Sequence, residues 1–529
     1  MNSVQQTKTD YDYDYIIIGS GFGGSVSALR LAEKGYKVLV IEKGKWFKST
    51  DFPKTNWNLR KWLWVPFIGF FGIMRIGIFK HISVLSGTGV GGGSLVYANT
   101  LAIPKSNFYK SGSWETLNDW ESELKPFYKK ALQMLGAIRN PKLFDADLGL
   151  KSLAKEIGRE DKFEHPNVAV FFGEPDISVK DPYFDGKGPE RAGCNFCGGC
   201  MTGCRHNAKN TLDKNYLFLA QNLGVEILAE NEVSNVIPLD TKGTKGYIVH
   251  SKSSTNRFKA KKTFKTKAVI FSAGVLGTIK LLLKIKDKSL PNLSNQLGEN
   301  IRTNNETLIS VSTLDKTKDL SKGIAIGSML HTDENSHLEV VRYSKGSSFW
   351  KLFHLPYTVG KSSLIRILKI FGLIFKSPLT YFKVFISNNW SKRTAVLLFM
   401  QTIDSTLKFK RNFLGLMTST LSFGKKPSPQ IPESIALTKS YSKIINGKAS
   451  SFILETLFGV PSTAHILGGA VMGEDSSKGL INKKNEVYGY KNMLIIDGSM
   501  ISANPGVNPA LTITALAEYT MDHIPAKQD

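Results

Sequence analysis

The stretch that decides the fold is YIIIGSGFGG, residues 15–24, which is followed by an apolar helical segment and then by KVLVIE, residues 37–42. Its first four residues form the apolar, largely β-branched run that is typical of a buried parallel strand. Gly19, Gly21 and Gly24 then match the spacing G-x-G-x-x-G. The first glycine permits a tight turn, the second lets the backbone approach a pyrophosphate, and the third lets the helix pack on the strand. The sequence therefore predicts a strand–turn–helix–strand unit that binds a dinucleotide.

Both ends of the helix in this Rossmann-type unit carry a signal. Its N-terminus offers free N–H groups and a partial positive charge to the phosphates, and Gly35 is predicted to end it. Glu42 ends the second strand, where its carboxylate can accept both hydroxyls of an adenosine ribose. These features do not separate FAD from NAD.

Further segments favour FAD over NAD as the cofactor. The run GTGVGGGSLVYAN, residues 87–99, is rich in glycine, so much of its backbone is not covered by side chains and a large flat ligand can approach it closely. Near the C-terminus, GVNPALTITALAE, residues 506–518, predicts a helix with Asn508 as its N-cap and Pro509 as its first residue. The N-terminus of such a helix stabilises the negative charge of a reduced flavin beside it.

Together with HILGG, residues 465–469, and NMLIIDGS, residues 492–499, these segments resemble the glucose–methanol–choline (GMC) family of flavoprotein oxidoreductases, and within it most of all the cholesterol oxidase branch. The resemblance implies non-covalently bound FAD and oxidation of a secondary alcohol, a sterol or similar lipid alcohol, by hydride transfer to flavin N5. Oxygen or another acceptor would then take the electrons. The residues assigned to the cofactor are Gly19, Gly21, Gly24, Glu42, Gly91, Gly92, Gly93, Ser94, Asn99, Val233, Asp497, Gly498 and Pro509.

Two residues are predicted to be catalytic. Alcohol oxidation needs a group that removes or binds the hydroxyl proton, and His465 matches the active-site histidine of the family. Asn508 matches the asparagine that orients the substrate oxygen or touches the flavin edge. The chain departs from the cholesterol oxidase branch at Tyr97 and Ala98, where that branch has Asn and Gly, so flavin contacts there are open. No residue of the middle third can be matched to the carboxylate that moves the steroid double bond in cholesterol oxidase.

All four cysteines lie in one run of eleven residues, at Cys194, Cys197, Cys200 and Cys204. Their spacing is that of bacterial ferredoxin runs, although Arg205 replaces the usual proline. Two interpretations stay open, namely ligands of an iron–sulfur cluster that passes electrons onward, or a packed glycine–cysteine loop without metal. Zinc is a weaker third.

The length of 529 residues indicates two large domains or one domain with a large insertion. We predict an α/β fold, α+β overall. It comprises a Rossmann-type FAD-binding domain with a parallel sheet, formed by residues 10–108, 205–305 and 462–529, and a discontinuous inserted substrate domain, formed by residues 109–204 and 306–461. The cysteine run, 194–204, and a segment predicted to face a membrane, 350–393, belong to the second domain.

The net charge and its distribution indicate which partners the chain can have. The chain carries a net charge of +25 but shows no zinc-finger, RNA-binding or basic-zipper pattern, so we expect no nucleic-acid partner. Residues 350–393 contain basic residues and no Asp or Glu. Arg366, Lys369, Lys376 and Lys383 recur at helical pitch as one basic stripe on an otherwise apolar segment that Gly372 and Pro378 interrupt. This pattern predicts an interfacial helix pair; a buried helix with snorkelling lysines is the alternative.

The N-terminal residues Met1 to Asp10 are polar and show no secretory signal, which predicts a cytoplasmic location or peripheral attachment to the inner face of the membrane. Two competing functions stay open. The first is a membrane-linked GMC dehydrogenase of a sugar or small alcohol that uses an iron–sulfur cluster. The second is a flavoprotein that carries a lipid without turnover.

Overall fold

A computed structural model describes residues 10–256, 258–386, 389–403 and 405–528. Residues 1–9, on which the location prediction rests, and residues 387–388 of the 350–393 segment lie outside this description. The strands are β1 Tyr13–Ile18, β2 Val38–Ile41, β3 Trp64–Val65, β4 Phe70–Phe71, β5 Met74–Ile78, β6 Ser83–Gly87, β7 Ile138–Arg139, β8 Phe163–Glu164, β9 Asn167–Val168, β10 Ser178–Val179, β11 Arg191–Ala192, β12 Glu226–Leu228, β13 Asn231–Pro238, β14 Tyr247–Ser253, β15 Lys261–Phe271, β16 Thr307–Thr313, β17 Ile326–His331, β18 Ser336–Val341, β19 His354–Pro356, β20 Thr394–Gln401, β21 Thr406–Arg411, β22 Met417–Phe423, β23 Gly447–Phe452, β24 Ser462–Thr463 and β25 Met493–Ile495. The α-helices are α1 Phe22–Glu33, α2 Leu59–Trp62, α3 Ser106–Tyr109, α4 Trp120–Met134, α5 Asp145–Glu156, α6 Tyr216–Asn222, α7 Val275–Ile285, α8 Ser363–Lys376, α9 Pro378–Ile386, α10 Trp390–Arg393, α11 Pro432–Ile444, α12 Ile453–Phe458 and α13 Ala510–Asp522.

The first large sheet is the predicted Rossmann-type sheet, in the order β12-β2-β1-β15-β14-β13, with β25 also paired to β15. Its core of β12, β2, β1, β15 and β25 is parallel, and β14 and β13 continue it as antiparallel strands. All four residues of β2 are buried, as expected for a parallel strand covered on both faces. Helix α1 begins at Phe22, inside the G-x-G-x-x-G motif, and Gly35, at φ +82°, follows its end. The predicted fold class is confirmed.

The second large sheet is antiparallel, in the order β19-β23-β16-β20-β18-β17-β8. Helices α5 and α11 pack together on one face and enclose a separate apolar core. The sequence shows no alternation here because the central strands are buried on both faces: every residue of β18 is buried. Helix α4, which the prediction places in the second domain, packs on α13 and contributes Trp120, Leu124 and Tyr128 to the core of the first sheet.

A small sheet joins the second glycine-rich run, residues 87–99, to the segment that contains His465. Strand β24 pairs in parallel with β6, and β6 pairs with β5. Strand β6 ends at Gly87, where the second glycine-rich run begins, and β24 ends two residues before His465. The pairing therefore places the His465 segment beside the glycine-rich run, although the two are far apart in the sequence.

Helices α8 and α9 form the predicted helix pair, but the predicted basic stripe is only partly correct. Arg366 is buried and donates from Nε to the Thr456 carbonyl and from Nη1 to the Gly360 carbonyl, at 2.5 and 2.7 Å, so its charge faces the protein. The sequence pattern missed this because carbonyls of α12 and of a turn can satisfy a buried guanidinium. The exposed side of the pair is mainly apolar and consists of Leu364, Ile365, Leu368, Phe371, Ile374, Phe375, Leu379, Phe382 and Ile386.

Candidate active site

A cavity of about 1010 Å³ lies between the glycine turn of the first sheet and one face of the second. Its wall contains most of the site residues predicted from the sequence, which come from both ends of the chain. They are Gly19, Gly21, Glu42, Gly92, Gly93, Val233, His465, Asp497, Gly498, Asn508 and Pro509.

The remaining predicted cofactor residues do not line the cavity. Gly24 lies against the Gly19 carbonyl, which a Cβ at Gly24 would approach to 2.1 Å, so it allows the helix to pack on the strand as expected. Ser94 is buried, donates to the Gly91 carbonyl at 2.7 Å and accepts from the backbone N–H of Leu212 at 3.1 Å. Ser94 therefore supports the second glycine-rich run from behind, and Gly91 belongs to the same turn as Ser94.

Asn99 is the fourth predicted cofactor residue that the cavity wall omits. It is buried and adopts a left-handed conformation at φ +76°. Its neighbours Ala98 and Thr100 line the cavity, as does Tyr97. Tyr97 and Ala98, at which the chain departs from the cholesterol oxidase branch, therefore lie in the cavity wall, whereas Asn99 does not.

His465 is held by a carboxylate that the sequence analysis did not identify. Its Nδ1 lies 2.7 Å from Oε2 of Glu306, and both side chains are almost completely buried. Burial alone would lower the pKa of His465, but the charge of Glu306 and its hydrogen bond outweigh burial and raise that pKa above its ordinary value. With Nδ1 engaged, Nε2 is the ring nitrogen left for a ligand in the cavity.

Asn508 is paired with a second carboxylate. Its Nδ2 donates to Oε2 of Glu339 at 3.3 Å, and its Oδ1 is buried without a hydrogen-bond partner among the described residues. The predicted N-cap role is wrong, since α13 begins at Ala510 and its N-cap position is Pro509 without a side-chain cap. The signal that could have revealed Glu339 is a single carboxylate within the apolar strand sequence SHLEVV, residues 336–341.

The N-terminus of α13 faces the cavity through Pro509, Ala510 and Ile513. Its first turn contains no acidic residue and no side chain caps it, so its N–H groups and partial positive charge remain available. This end of the cavity can stabilise negative charge on a bound ring system.

Comparison with known proteins places this geometry in a family. Two family profiles described as GMC oxidoreductase match residues 188–303 and 418–517, and one described as FAD binding domain matches residues 14–53. A protein named cholesterol oxidase from Acinetobacter baumannii is 43% identical over 98% of this chain and 96% of its own length. The chain belongs to the GMC oxidoreductase family.

Other known proteins are also similar to this chain. A cholesterol oxidase from Mycobacterium tuberculosis (strain ATCC 25618 / H37Rv) is 41% identical over 98% of this chain and 92% of its own. A 2-methyl-1,2-propanediol dehydrogenase from Mycolicibacterium austroafricanum is 22% identical over 96% of this chain and 94% of its own. The crystal structure of pyridoxine 4-oxidase from "Mesorbium loti" shares the fold, with a TM-score of 0.60, 12% identity, and coverage of 96% of this chain and 98% of that one. This GMC oxidoreductase is an FAD-dependent enzyme that oxidises alcohols.

The dinucleotide side of the cavity fits FAD. The N-terminus of α1 has no side-chain cap, so its N–H groups are free for the pyrophosphate. Glu42 is fixed by the backbone N–H groups of Ser20 and Gly44, at 3.1 and 2.8 Å, and lines the cavity where the ribose would lie. Gly274 also lines the cavity, and a Cβ there would meet no atom within 4 Å, so the wall is left open for a ligand.

We expect Gly92→Ala to abolish tight FAD binding by this GMC oxidoreductase. Gly92 has φ +52°, and an added Cβ would lie 2.8 Å from Cα of Gly21, so the two glycine-rich turns would be forced apart at the cavity wall. Gly224→Ala is the matched control, because Gly224 also has a positive φ of +89° but a Cβ there meets no atom within 4 Å. The FAD content after purification measures the effect; equal FAD content in both variants would contradict it.

The cysteine run lies next to the second glycine-rich run, residues 87–99, and lines a second cavity of about 230 Å³. All four cysteines are free, and burial raises the pKa of the Cys194 and Cys200 thiols. Among the described residues, no group of three or more His, Cys, Asp or Glu side chains is arranged to hold a metal ion. Lys209 Nζ donates to the carbonyls of Leu95 and Cys200, at 3.0 and 2.8 Å, and so joins the cysteine run to the second glycine-rich run. This arrangement favours the packed-loop interpretation.

Proposed function

We propose that the enzyme oxidises the hydroxyl of a sterol or a similar lipid alcohol. The observation that carries the proposal is the part of the cavity beyond His465 and Asn508, whose wall is built from large apolar side chains. We call this part the chamber. Its apolar side chains are Leu308, Ile326, Val341, Tyr343, Trp350, Trp390, Val396, Leu398 and Phe452. His354 also lines this wall, but burial lowers its pKa to about 4, so it is uncharged at neutral pH. A rigid apolar molecule fits such a chamber, whereas a sugar would leave its hydroxyls without partners.

His465 and Asn508 supply polar groups where the reaction would occur. Bound FAD supplies the acceptor for the hydride that leaves the carbinol carbon. His465 Nε2 is available to accept the hydroxyl proton, and Glu306 balances the charge that the imidazole acquires. Asn508 Nδ2 uses one N–H for Glu339, so its second N–H can donate to the substrate oxygen, and Oδ1 can accept from a donor on the flavin edge.

The test is anaerobic reduction of the enzyme-bound flavin, followed by visible absorption, with cholesterol, a long-chain primary alcohol and glucose as separate substrates. We expect cholesterol to bleach the flavin with the highest kcat/KM. Preferential reduction by glucose, together with stoichiometric iron in the purified protein, would replace this proposal with the sugar dehydrogenase alternative. Reoxidation by air or by an artificial acceptor then identifies the electron acceptor.

We further propose that α8 and α9 bind the surface of an anionic membrane from which the substrate is taken. No helix in the described parts of the chain is long and apolar enough to cross a membrane. Instead, the pair exposes a row of apolar side chains, with Phe375 82% and Leu379 74% exposed. Lys361, Lys369, Lys376 and Lys383 are also exposed, and residues 350–393 contain no acidic residue. An apolar face with basic neighbours is typical of an interfacial helix.

The helix pair also lies next to the chamber. Helix α8 packs on β19 and α9 packs on α10. Both of these elements also reach the chamber, because His354 of β19 and Trp390 of α10 line its wall. A lipid leaving the membrane at this surface therefore has only a short way to travel, which links the two proposals and supports a peripheral location.

We expect the double variant Phe375→Asp/Leu379→Asp to bind vesicles containing phosphatidylglycerol at least ~10-fold more weakly, because each apolar side chain withdrawn from a bilayer forfeits about 1.5–3 kcal/mol. Phe413→Asp is the matched control, since Phe413 is 95% exposed but lies in the hairpin between β21 and β22. Vesicle sedimentation measures binding, and turnover of detergent-dispersed sterol should stay unchanged. Equal sedimentation of both variants, or loss of binding only in the control, would refute this surface.

A further inference from the structure

We infer that Glu306 is a positioning residue that fixes His465 in the tautomer with the proton on Nδ1, so that Nε2 can receive the proton of the substrate hydroxyl. The inference rests on the proposed function for its catalytic meaning, but the tautomer can be tested without any substrate.

Glu306 lies immediately before β16, at the edge of the chamber, and is 3% exposed. Both of its oxygens hold the His465 segment. Oε2 contacts Nδ1 of His465 at 2.7 Å, and Oε1 accepts the backbone N–H of Ala464 at 3.0 Å. The backbone N–H of His465 donates to Oγ1 of Thr463 at 2.9 Å. Ring and backbone are therefore both fixed with respect to one carboxylate.

The chemistry of the partner decides the tautomer. An ionised carboxylate only accepts hydrogen bonds, so Nδ1 must carry the proton in this pair and Nε2 keeps its lone pair. A glutamine at position 306 could instead donate its amide N–H to Nδ1, which would move the ring proton to Nε2. That tautomer cannot act as a base towards a hydroxyl in the cavity.

The charged groups around the pair do not replace Glu306. Glu339 acts on His465 from β18 and has His337 Nε2 3.6 Å from its own Oε1. Glu455 of α12 lies close enough to Glu306 for their charges to interact, but burial raises the pKa of Glu455 to about 8. Glu455 is therefore mostly protonated at neutral pH, and Glu306 is the carboxylate that bonds the ring directly.

The sign of the expected pH effect follows from these contacts. Glu306 raises the pKa of His465, so the wild-type imidazole loses its proton, and becomes able to accept one from the substrate, only at a correspondingly higher pH. In Glu306→Gln, burial is opposed by Glu339 alone, and the pKa of His465 falls. The acidic limb of the pH profile of kcat/KM should shift to lower pH, while the pH-independent flavin reduction rate constant falls about 10²- to 10⁴-fold.

The experiment uses the FAD-loaded full-length enzyme labelled with ¹⁵N-histidine and compares wild type, Glu306→Gln, Glu306→Asp and the control Glu455→Gln. The His465 signal is assigned by its loss in His465→Asn. We expect Nδ1–H in wild type, Glu306→Asp and Glu455→Gln, and Nε2–H with a lowered pKa in Glu306→Gln. Flavin reduction should fall in Glu306→Gln, recover in part in Glu306→Asp, and change little below pH 8 in Glu455→Gln.

An unchanged tautomer and pKa in Glu306→Gln would overturn the inference. So would a fall in rate of the same size in Glu455→Gln, because that result would indicate a general packing effect. If no sterol reduces the wild-type flavin, the proposed function fails, but the tautomer measurement still decides the role of Glu306.

Discussion

Replacing His465 by glutamine should lower the rate constant of flavin reduction by the alcohol about 10²- to 10⁴-fold, which is the usual contribution of a general base. Glutamine can still form a hydrogen bond in the chamber but cannot accept a proton. Because His465 is buried next to Glu306, water cannot easily take over the role. Anaerobic stopped-flow absorption of the flavin band measures this rate constant directly.

His250→Gln is the matched control for this prediction. His250 lies on β14, where its Nδ1 contacts Oγ1 of Thr263 at 2.9 Å, and it is not part of the cavity wall. Both variants should retain FAD and its visible spectrum, and only His465→Gln should lose rate. A His465→Gln enzyme that retains FAD and reduces it within about threefold of the wild-type rate would show that proton removal does not depend on this histidine.

Asp147→Ala should have the largest effect on stability, a loss of about 3–5 kcal/mol in the free energy of unfolding. Asp147 and Arg342 are both fully buried and form a bidentate ion pair. Asp147 also accepts from Oγ of Ser328 at 2.8 Å and from the backbone N–H of Phe144 at 3.0 Å. The variant leaves the Arg342 guanidinium buried without its counter-charge, and it separates α5 from the strands that carry the chamber wall.

Urea unfolding followed by circular dichroism measures the loss. Glu474→Ala serves as the control, because Glu474 pairs with Lys478 at the surface, where both side chains are more than half exposed. Pairs of that kind contribute little, so the control should unfold at the wild-type urea concentration. Similar midpoints for Asp147→Ala and Glu474→Ala would show that the buried pair is not what holds the second sheet together.

The dinucleotide-binding part of the protein could be predicted from the sequence because its sequence signals are local. Gly19, Gly21 and Glu42 lie within one strand–turn–helix–strand unit, and the spacing of such residues already defines their geometry. The resemblance extended this to His465 and Asn508. The antiparallel sheet was not recognised, because strands buried on both faces lose the alternation that identifies them.

Glu306 and Glu339 show why the chemistry of the site could not be completed in the same way. Each is one glutamate among many in the sequence, more than 150 residues away from its partner, His465 or Asn508. The only local signal is that Glu339 stands in an apolar strand sequence, and that signal does not show which side chain the carboxylate bonds. Only the pairing of the strands reveals which of them is buried at the cavity.

The sequence by itself determined the Rossmann-type unit and the cofactor class. It also predicted that His465 and Asn508 are catalytic and that residues 350–393 form an interfacial helix pair, and these roles stay predictions. Tertiary structure alone decided which carboxylate holds His465, that Asn508 does not cap its helix, and that Arg366 turns inward. It also decided that the cysteine run packs next to the second glycine-rich run. The physical reason is that backbone turns and amphipathic helices depend on neighbours in the chain, whereas protonation states and buried charge pairs depend on groups that only folding brings within about 3 Å of each other.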